Sequence, residues 1–294
     1  MSGSQIVVPN YPTSNLVPGV YFSVSPTNAN NAPQLQPTLI IGQVLTGGTY
    51  ALGSPIQIAG LQDVITGSGG AGSMLAIDVA RYLKSDPLGD VWVLPLADDG
   101  AATKTVITLT FTGPATGSGA VALMIDGVLV FVPVTAAQTA AAIATAAAAL
   151  INAMPGLPVS AAATAAVCTL TALNAGAAAG DIPVLLNFYG SAGGQVLPAG
   201  VGLTITTATQ GATNPSTALT AAIPNLGPQR FDFIVMPYTD TTSLNLIDAL
   251  LDPVTGRWSW SQQIYGGAFS AVRGTVGTLG TFAAARDDKF ISFM

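Results

Sequence analysis

Three stretches of this 294-residue chain, and two serines in and beside one of them, have types and spacings that could do chemistry. Gly67-Ser68-Gly69-Gly70-Ala71-Gly72 fits G-x-G-x-x-G ahead of a helical stretch, the form of a phosphate or dinucleotide cradle at a helix N-terminus. That fingerprint needs a strand directly before it in a tight turn. Here the nearest upstream apolar run, Leu39 to Val44, is separated from it by Gly47, Gly48, Gly53 and Pro55, and no Gly-Lys-Ser/Thr follows. The expected role is structural: a turn without side chains that lets the start of the helix pack closely. Asp98-Asp99-Gly100 pairs two carboxylates, but a metal or acid–base site would need further oxygen ligands or a partner at a distance. Adjacent acids before glycine read as turn chemistry at a domain boundary. Arg257-Trp258-Ser259-Trp260 has the side chains of an interaction patch or a sugar platform, and burial under a sheet is the equal alternative. Ser68 and Ser73 have no base to activate them.

The absence of histidine removes His-based triads, His acid–base catalysis and most transition-metal sites together. Cys168 is the single cysteine, so no intrachain disulfide forms. It sits in the alternating run Val167-Cys168-Thr169-Leu170-Thr171 beside Leu170, and reads as a small buried hydrophobe. No catalytic, cofactor-binding or metal-ligating residue is assigned, and no cofactor is expected.

Charge sets the next limit. Charged residues make up 7% of the chain, against about 25% in an ordinary soluble domain. Its surface must therefore be largely Thr, Ser, Asn, Gln, Gly and Ala, with few charges to desolvate when it meets a partner. That composition predicts a surface covered by neighbouring copies; a Thr/Ala-rich secreted or high-GC bacterial domain is the alternative. The net charge is −6 and the 8 basic residues are dispersed, so nucleic acid and anionic membrane surfaces are not expected partners. Residues 1–12 lack the basic and apolar segments of a signal peptide. Residues 136–154 are too Ala-rich and too short for a membrane span. Synthesis in the cytoplasm is the resulting expectation.

The elements that would position these residues follow from periodicity. Residues 1–36 carry Pro9, Pro12, Pro18, Pro26 and Pro33 and read as an arm, with only residues 19–24 able to pair as a strand. Residues 38–44 and 91–94 are near-continuous apolar runs, as for strands covered on both faces. Between them, residues 72–85 read as a helix with Leu75, Val79, Tyr82 and Leu83 inward and Asp78, Arg81 and Ser85 outward. From residue 103 the period changes to two. Ile107, Leu109 and Phe111 alternate with threonines, and Asp126-Gly127 joins two strands as a hairpin. Thr135 and Gln138 form a capping-box pattern opening an Ala-rich helix. Strands at 159–163, 167–173, 182–188 and 203–207 follow. The α/β pattern returns after Gly211. Asn214-Pro215 reads as a helix cap, 231–236 as a buried strand, and Leu244, Ile247 and Leu251 as one helix face. Strands at 264–271 and 290–294 would flank a helix at 275–286. The architecture is α/β: a core at 37–102 and 211–294, split by an inserted β-rich, ββαβββ-like sandwich at 103–210. The last residues look like a core strand with no element after it, and the expectation is a fragment of a longer protein.

In order and spacing, these segments resemble the Mu-like contractile phage tail sheath proteins. The resemblance rests on Val17-Pro18-Gly19-Val20-Tyr21-Phe22 and on Ile65-Thr66-Gly67 through Gly72-Ser73-Met74-Leu75 to Val91-Trp92-Val93-Leu94-Pro95-Leu96. It continues through Ile125-Asp126-Gly127-Val128, the Ala-rich helix and Leu157-Pro158-Val159-Ser160-Ala161, then Arg230-Phe231-Asp232-Phe233-Ile234-Val235, Arg257-Trp258 and Ala268-Phe269-Ser270-Ala271. It covers most of the chain. It implies a non-enzymatic virion subunit that assembles helically around a tail tube in the host cytoplasm. It also implies contacts with baseplate and tail terminator proteins, and contraction that drives the tube through the host envelope. Terminal arms would add strands to neighbouring sheets, placing Val17, Val20, Tyr21 and Phe22 in an inter-subunit arm. Arg257, Trp258 and Trp260 would form a further interface patch. Members of that family continue into a C-terminal part that this sequence lacks. A surface adhesin or carbohydrate-binding protein built on the β-rich part is the other reading.

Overall fold

The computed structural model describes residues 36–294 apart from Asp287. The arm assigned to Val17, Val20, Tyr21 and Phe22 lies outside the described residues.

The chain opens with β1 (Thr38–Gln43), every residue of which is buried, then a short β2 (Ile56–Gln57) and α1 (Leu61–Gly67). Next come α2 (Met74–Ser85) and β3 (Val91–Leu96). Ser73 caps α2 by accepting a hydrogen bond from the Ala76 N–H at 3.1 Å. Leu75 and Val79 of α2 are fully buried, each side chain contributing about 1.5–3 kcal/mol over exposure.

The second run is antiparallel: β4 (Val106–Thr112), β5 (Gly119–Ile125), β6 (Val128–Val134), α3 (Ala140–Asn152), β7 (Val159–Thr164), β8 (Val167–Ala172), β9 (Val184–Leu186) and β10 (Gly202–Thr209). β10, β4, β8 and β7 form one sheet in that order; β6, β5 and β9 form another. Ile107, Leu109 and Phe111 point inward as their alternation predicts, and Asp126 and Gly127 both take positive φ at the hairpin turn. The inward faces of both sheets and the Ile143, Ala147 and Ile151 face of α3 share one core. Cys168 lies in it, fully buried, and burial pushes its thiol up to about 11. The outer edge of β7 is blocked by Asn152. Its Nδ2 donates to the Ala161 carbonyl at 2.7 Å and its Oδ1 accepts from the Ala161 N–H at 2.8 Å.

α4 (Ser216–Ala222), β11 (Phe233–Val235), α5 (Thr241–Leu251), β12 (Gly267–Ser270), α6 (Val276–Ala284) and β13 (Ile291–Phe293) complete the chain. The first sheet has the order β13-β12-β11-β1-β3-β2, parallel except for β2. α1 and α2 cover Ile40, Val91 and Val93 on one face, while α4 and α5 cover Leu39, Ile41, Leu94 and Ile234 on the other. The described residues thus form a mixed α/β fold with three sheets.

Local expectations change at several points, and the strands expected at 231–236, 264–271 and 290–294 are confined to 233–235, 267–270 and 291–293. The Ala-rich helix begins at Ala140, with Thr139 as its cap. Gln138 still reaches back to accept the Thr135 N–H at 2.9 Å, but Ala137 at φ 67° turns the chain out of helical geometry between them. Asn214 caps nothing. Its Oδ1 accepts from the Ala178 N–H at 3.0 Å and its Nδ2 donates to Asp240 at 2.7 Å, bridging two connections. Strand pairing at 182–188 is confined to residues 184–186.

Candidate functional site

The glycine-rich segment is led into by α1, with no strand directly before it, and several of its polar groups are committed within the chain. The Ser68 and Gly70 N–H groups donate to Val64 and Ile65 carbonyls at 2.8 and 2.9 Å, and the Ser73 N–H donates to Gly70 at 3.2 Å. Ser73 Oγ donates to Ser68 Oγ at 2.7 Å, both residues fully buried. The space a phosphate would need is filled by protein. A Cβ on Gly67 would lie 2.2 Å from the Tyr50 ring, and one on Gly72 would lie 2.4 Å from the Leu157 carbonyl oxygen. The segment works as the close-packing turn that its composition predicts.

The two adjacent carboxylates diverge. Asp99 accepts the Ala101 N–H at 2.8 Å, an Asx turn. Asp98 is a three-way acceptor: Gln43 Nε2 donates at 2.6 Å, Asn174 Nδ2 at 3.0 Å and the Ala175 N–H at 2.8 Å. Gln43 belongs to the parallel sheet, whereas 174–175 follows β8. Asp98 therefore ties the two halves of the fold together. Among the described residues no group of three or more Asp, Glu, His or Cys is placed to hold a metal ion, and no helix is long and apolar enough to cross a membrane.

Residues 257–260 separate in the same way. Arg257 is 4% exposed. Its guanidinium donates to the carbonyls of Gln229 at 2.8 Å, Gly227 at 2.7 Å and Leu226 at 3.2 Å, and lies 5.6 Å from the Phe231 ring centre. Burial lowers its pKa. Trp258 is half-buried, donates Nε1–H to Gly266 at 2.8 Å and meets Tyr265 edge-on. Only Trp260, 85% exposed, stands at the surface.

Several of the sparse charges gather where α2 meets the antiparallel part. Arg81 pairs with Asp126 of the β5–β6 turn at 2.7 Å, and Arg273 pairs with Asp181. Asp78, expected to face away, is instead largely enclosed here. Burial pushes its carboxyl up to about 7, with Arg81 opposing and Asp126 reinforcing. The unfolded carboxylate ionises near 3.9. Between about pH 4 and pH 7 the folded state thus holds a proton that the unfolded state has lost, and stability falls as pH rises through that window. At ~1.4 kcal/mol per pH unit this would approach 4 kcal/mol; with about a quarter of the side chain still in water, we expect about 2 kcal/mol. Urea denaturation at pH 4.5 and pH 8 should show that loss in the native sequence and its removal in Asp78→Asn.

The outward faces of β6 and β9 present a further apolar surface, with Phe131 and Leu185 exposed and the Phe188–Tyr189 pair beside them. The signal lay in Val128-Leu129-Val130-Phe131-Val132-Pro133-Val134, whose continuous apolar run leaves no polar face for water.

No family model matches the chain. It is 33% identical over 287 residues to a Mu-like prophage FluMu tail sheath protein of Haemophilus influenzae, covering 97% of this chain and 57% of that protein. Solved structures of sheath tail proteins also resemble it. One, from Listeria innocua, is 14% identical with a TM-score of 0.31, covering 82% of this chain and 48% of that one. Another, from Desulfitobacterium hafniense, is 15% identical with a TM-score of 0.36, covering 94% and 56%. Both are too distant in sequence and shape to carry an argument. Across nearly its whole length, then, this chain is a homologue of a Mu-like prophage tail sheath protein, of which it spans a little over half.

Proposed function

We propose that this chain is a structural subunit of a contractile bacteriophage tail sheath, acting by association with copies of itself and without a catalytic step. The observation that carries this reading is the similarity over 97% of the chain to a tail sheath protein. The charge-poor, Thr- and Ala-rich surface supports it, because such a surface loses little solvation when copies meet. Copies would assemble helically around a tail tube between baseplate and tail terminator proteins, in the host cytoplasm, and remain in the virion tail. Residues 37–102 and 211–294 would form the part nearest the tube, and residues 103–210 a module facing outward. Residues 1–36 would lend a strand built on Val17, Val20, Tyr21 and Phe22 to a neighbouring sheet. Of Arg257, Trp258 and Trp260, the interface contact falls to Trp260, the other two positioning it.

Contraction would draw its free energy from interfaces that are larger in the short state. Particles carrying this protein should therefore contract under mild denaturant or low pH with no nucleotide present; a strict ATP requirement would defeat the reading. Negative-stain microscopy of the purified protein should show rings or tubes, and a particle that stays solitary at high concentration would count against self-assembly.

A further inference from the structure

Trp260 is the most exposed aromatic side chain described, and its loop is fixed before any partner arrives. Arg257 anchors the loop from inside through three carbonyls, and Trp258 closes it through Gly266. Asp252 adds bonds from the Val254 and Thr255 N–H groups at 2.8 and 2.7 Å. An indole held outward on a rigid loop forfeits little entropy on docking, which is how tryptophan becomes a binding hot spot.

A groove suited to an indole lies elsewhere on the same chain, between α1, α2 and the β5–β6 turn. Its volume is about 340 Å³, and Leu61, Ile65, Ile77 and Val128 line it together with Arg81, Lys84 and Asp126. Lys84 forms no ion pair among the described residues, leaving its ammonium free to sit over an aromatic face. Asp126 is already paired with Arg81, so Lys84 is the polar group left to meet the ring. The smaller cavity next to it, about 90 Å³, cannot hold an indole, and the cleft of about 900 Å³ beside β11 and β12, lined by Ile40, Val235 and Phe269 as well as by Asp78, Asp181 and Arg273, is wider than one indole fills.

We infer that Trp260 of one copy seats in the α1–α2 groove of the next. This rests on the self-association proposed above and adds to it which two surfaces meet. Knob and hole are different patches, so the contact is heterologous. Each copy that offers its Trp260 still has an empty groove, so the contact repeats from copy to copy, into a ring or a helix according to its rotation.

Inter-chain disulfide trapping tests it. Ser261→Cys stands beside the knob, and Gly156→Cys lines the groove at a position where a Cβ meets nothing within 4 Å. Cys168 is fully buried and silent. Mixed under mild oxidant, the two variants should give a cross-linked dimer in at least tenfold greater yield than either alone. Adding Trp260→Ala to the Ser261→Cys chain should cut the yield at least tenfold, and Lys84→Ala on the Gly156→Cys chain about threefold. Both altered side chains are exposed, and unchanged thermal melts would confirm folding. A yield indifferent to Trp260 overturns the docking, as does equal trapping by Ala283→Cys in the groove beside α6. If sedimentation shows oligomers while the cross-link is absent, the docking fails and self-association stands. If the chain sediments as a monomer at every concentration, both fall.

Discussion

Arg257→Ala is expected to destabilise the folded chain by about 2–4 kcal/mol, a large share of an ordinary folding free energy. The guanidinium is buried at 4% exposure and faces three carbonyl oxygens, those of Leu226, Gly227 and Gln229. The Leu226 oxygen is buried and would be left without a partner, at about 1–3 kcal/mol, while the Gly227 and Gln229 oxygens belong to exposed residues and would exchange a charged donor for water. The contact with the Phe231 ring is lost as well. Arg257→Lys should recover only part of the loss, because one ammonium on a flexible stem cannot span three acceptors arranged for a planar fork. Equilibrium urea unfolding of the three proteins checks the order: native, then lysine, then alanine. An alanine variant within 1 kcal/mol of the native protein would mean that the 226–229 turn finds other donors.

Gly72→Ala is expected to cost about 3 kcal/mol, at the upper end for overpacking. The added methyl would sit 2.4 Å from the Leu157 carbonyl oxygen and 2.7 Å from Leu173 Cδ1. Leu173 is flexible and could yield. The Leu157 oxygen is backbone, in a segment fixed by the Leu157 N–H bond to Met154 at 3.2 Å and by the Leu173 N–H bond to Pro158 at 2.8 Å. Either the start of α2 or the 155–158 turn must move, and both belong to the contact between the parallel and antiparallel parts. A thermal melt should show a lower Tm, whereas Gly156→Ala, at an open position in the same turn, should leave it unchanged.

What was legible in the sequence were elements with a strong burial pattern. β1 and β3 carry near-continuous apolar runs because helices cover both faces, and the Ile107, Leu109, Phe111 alternation follows from a sheet with one face in the core. α1 was not legible. Leu61–Gly67 is two turns long, holds the β-branched Val64, Ile65 and Thr66, and starts after Gly60 with no side-chain cap. β2 is two residues long and has no period to read. Asp78 sat on the polar side of a helical wheel, but that side faces Asp126 from a hairpin whose position no local pattern reveals. The 257–260 motif divides for the same reason: Arg257 is inside only because the 226–229 turn arrives there, while Trp260 lies beyond its reach.

The strand order of the parallel sheet has a consequence for synthesis. β1 lies between β3, which follows it closely, and β11, whose Phe233 aligns with Thr38. On the order of two hundred residues separate those partners, and a ribosome adding about 5–20 residues per second needs roughly ten to forty seconds to deliver them. Throughout that interval the nascent chain exposes one bare, uncharged flank of its central strand, in a cell filling with other unfinished copies. The antiparallel sheets, whose strands all lie within that gap, can mature on the ribosome first. The central strand stays vulnerable to wrong partners until β11 has emerged.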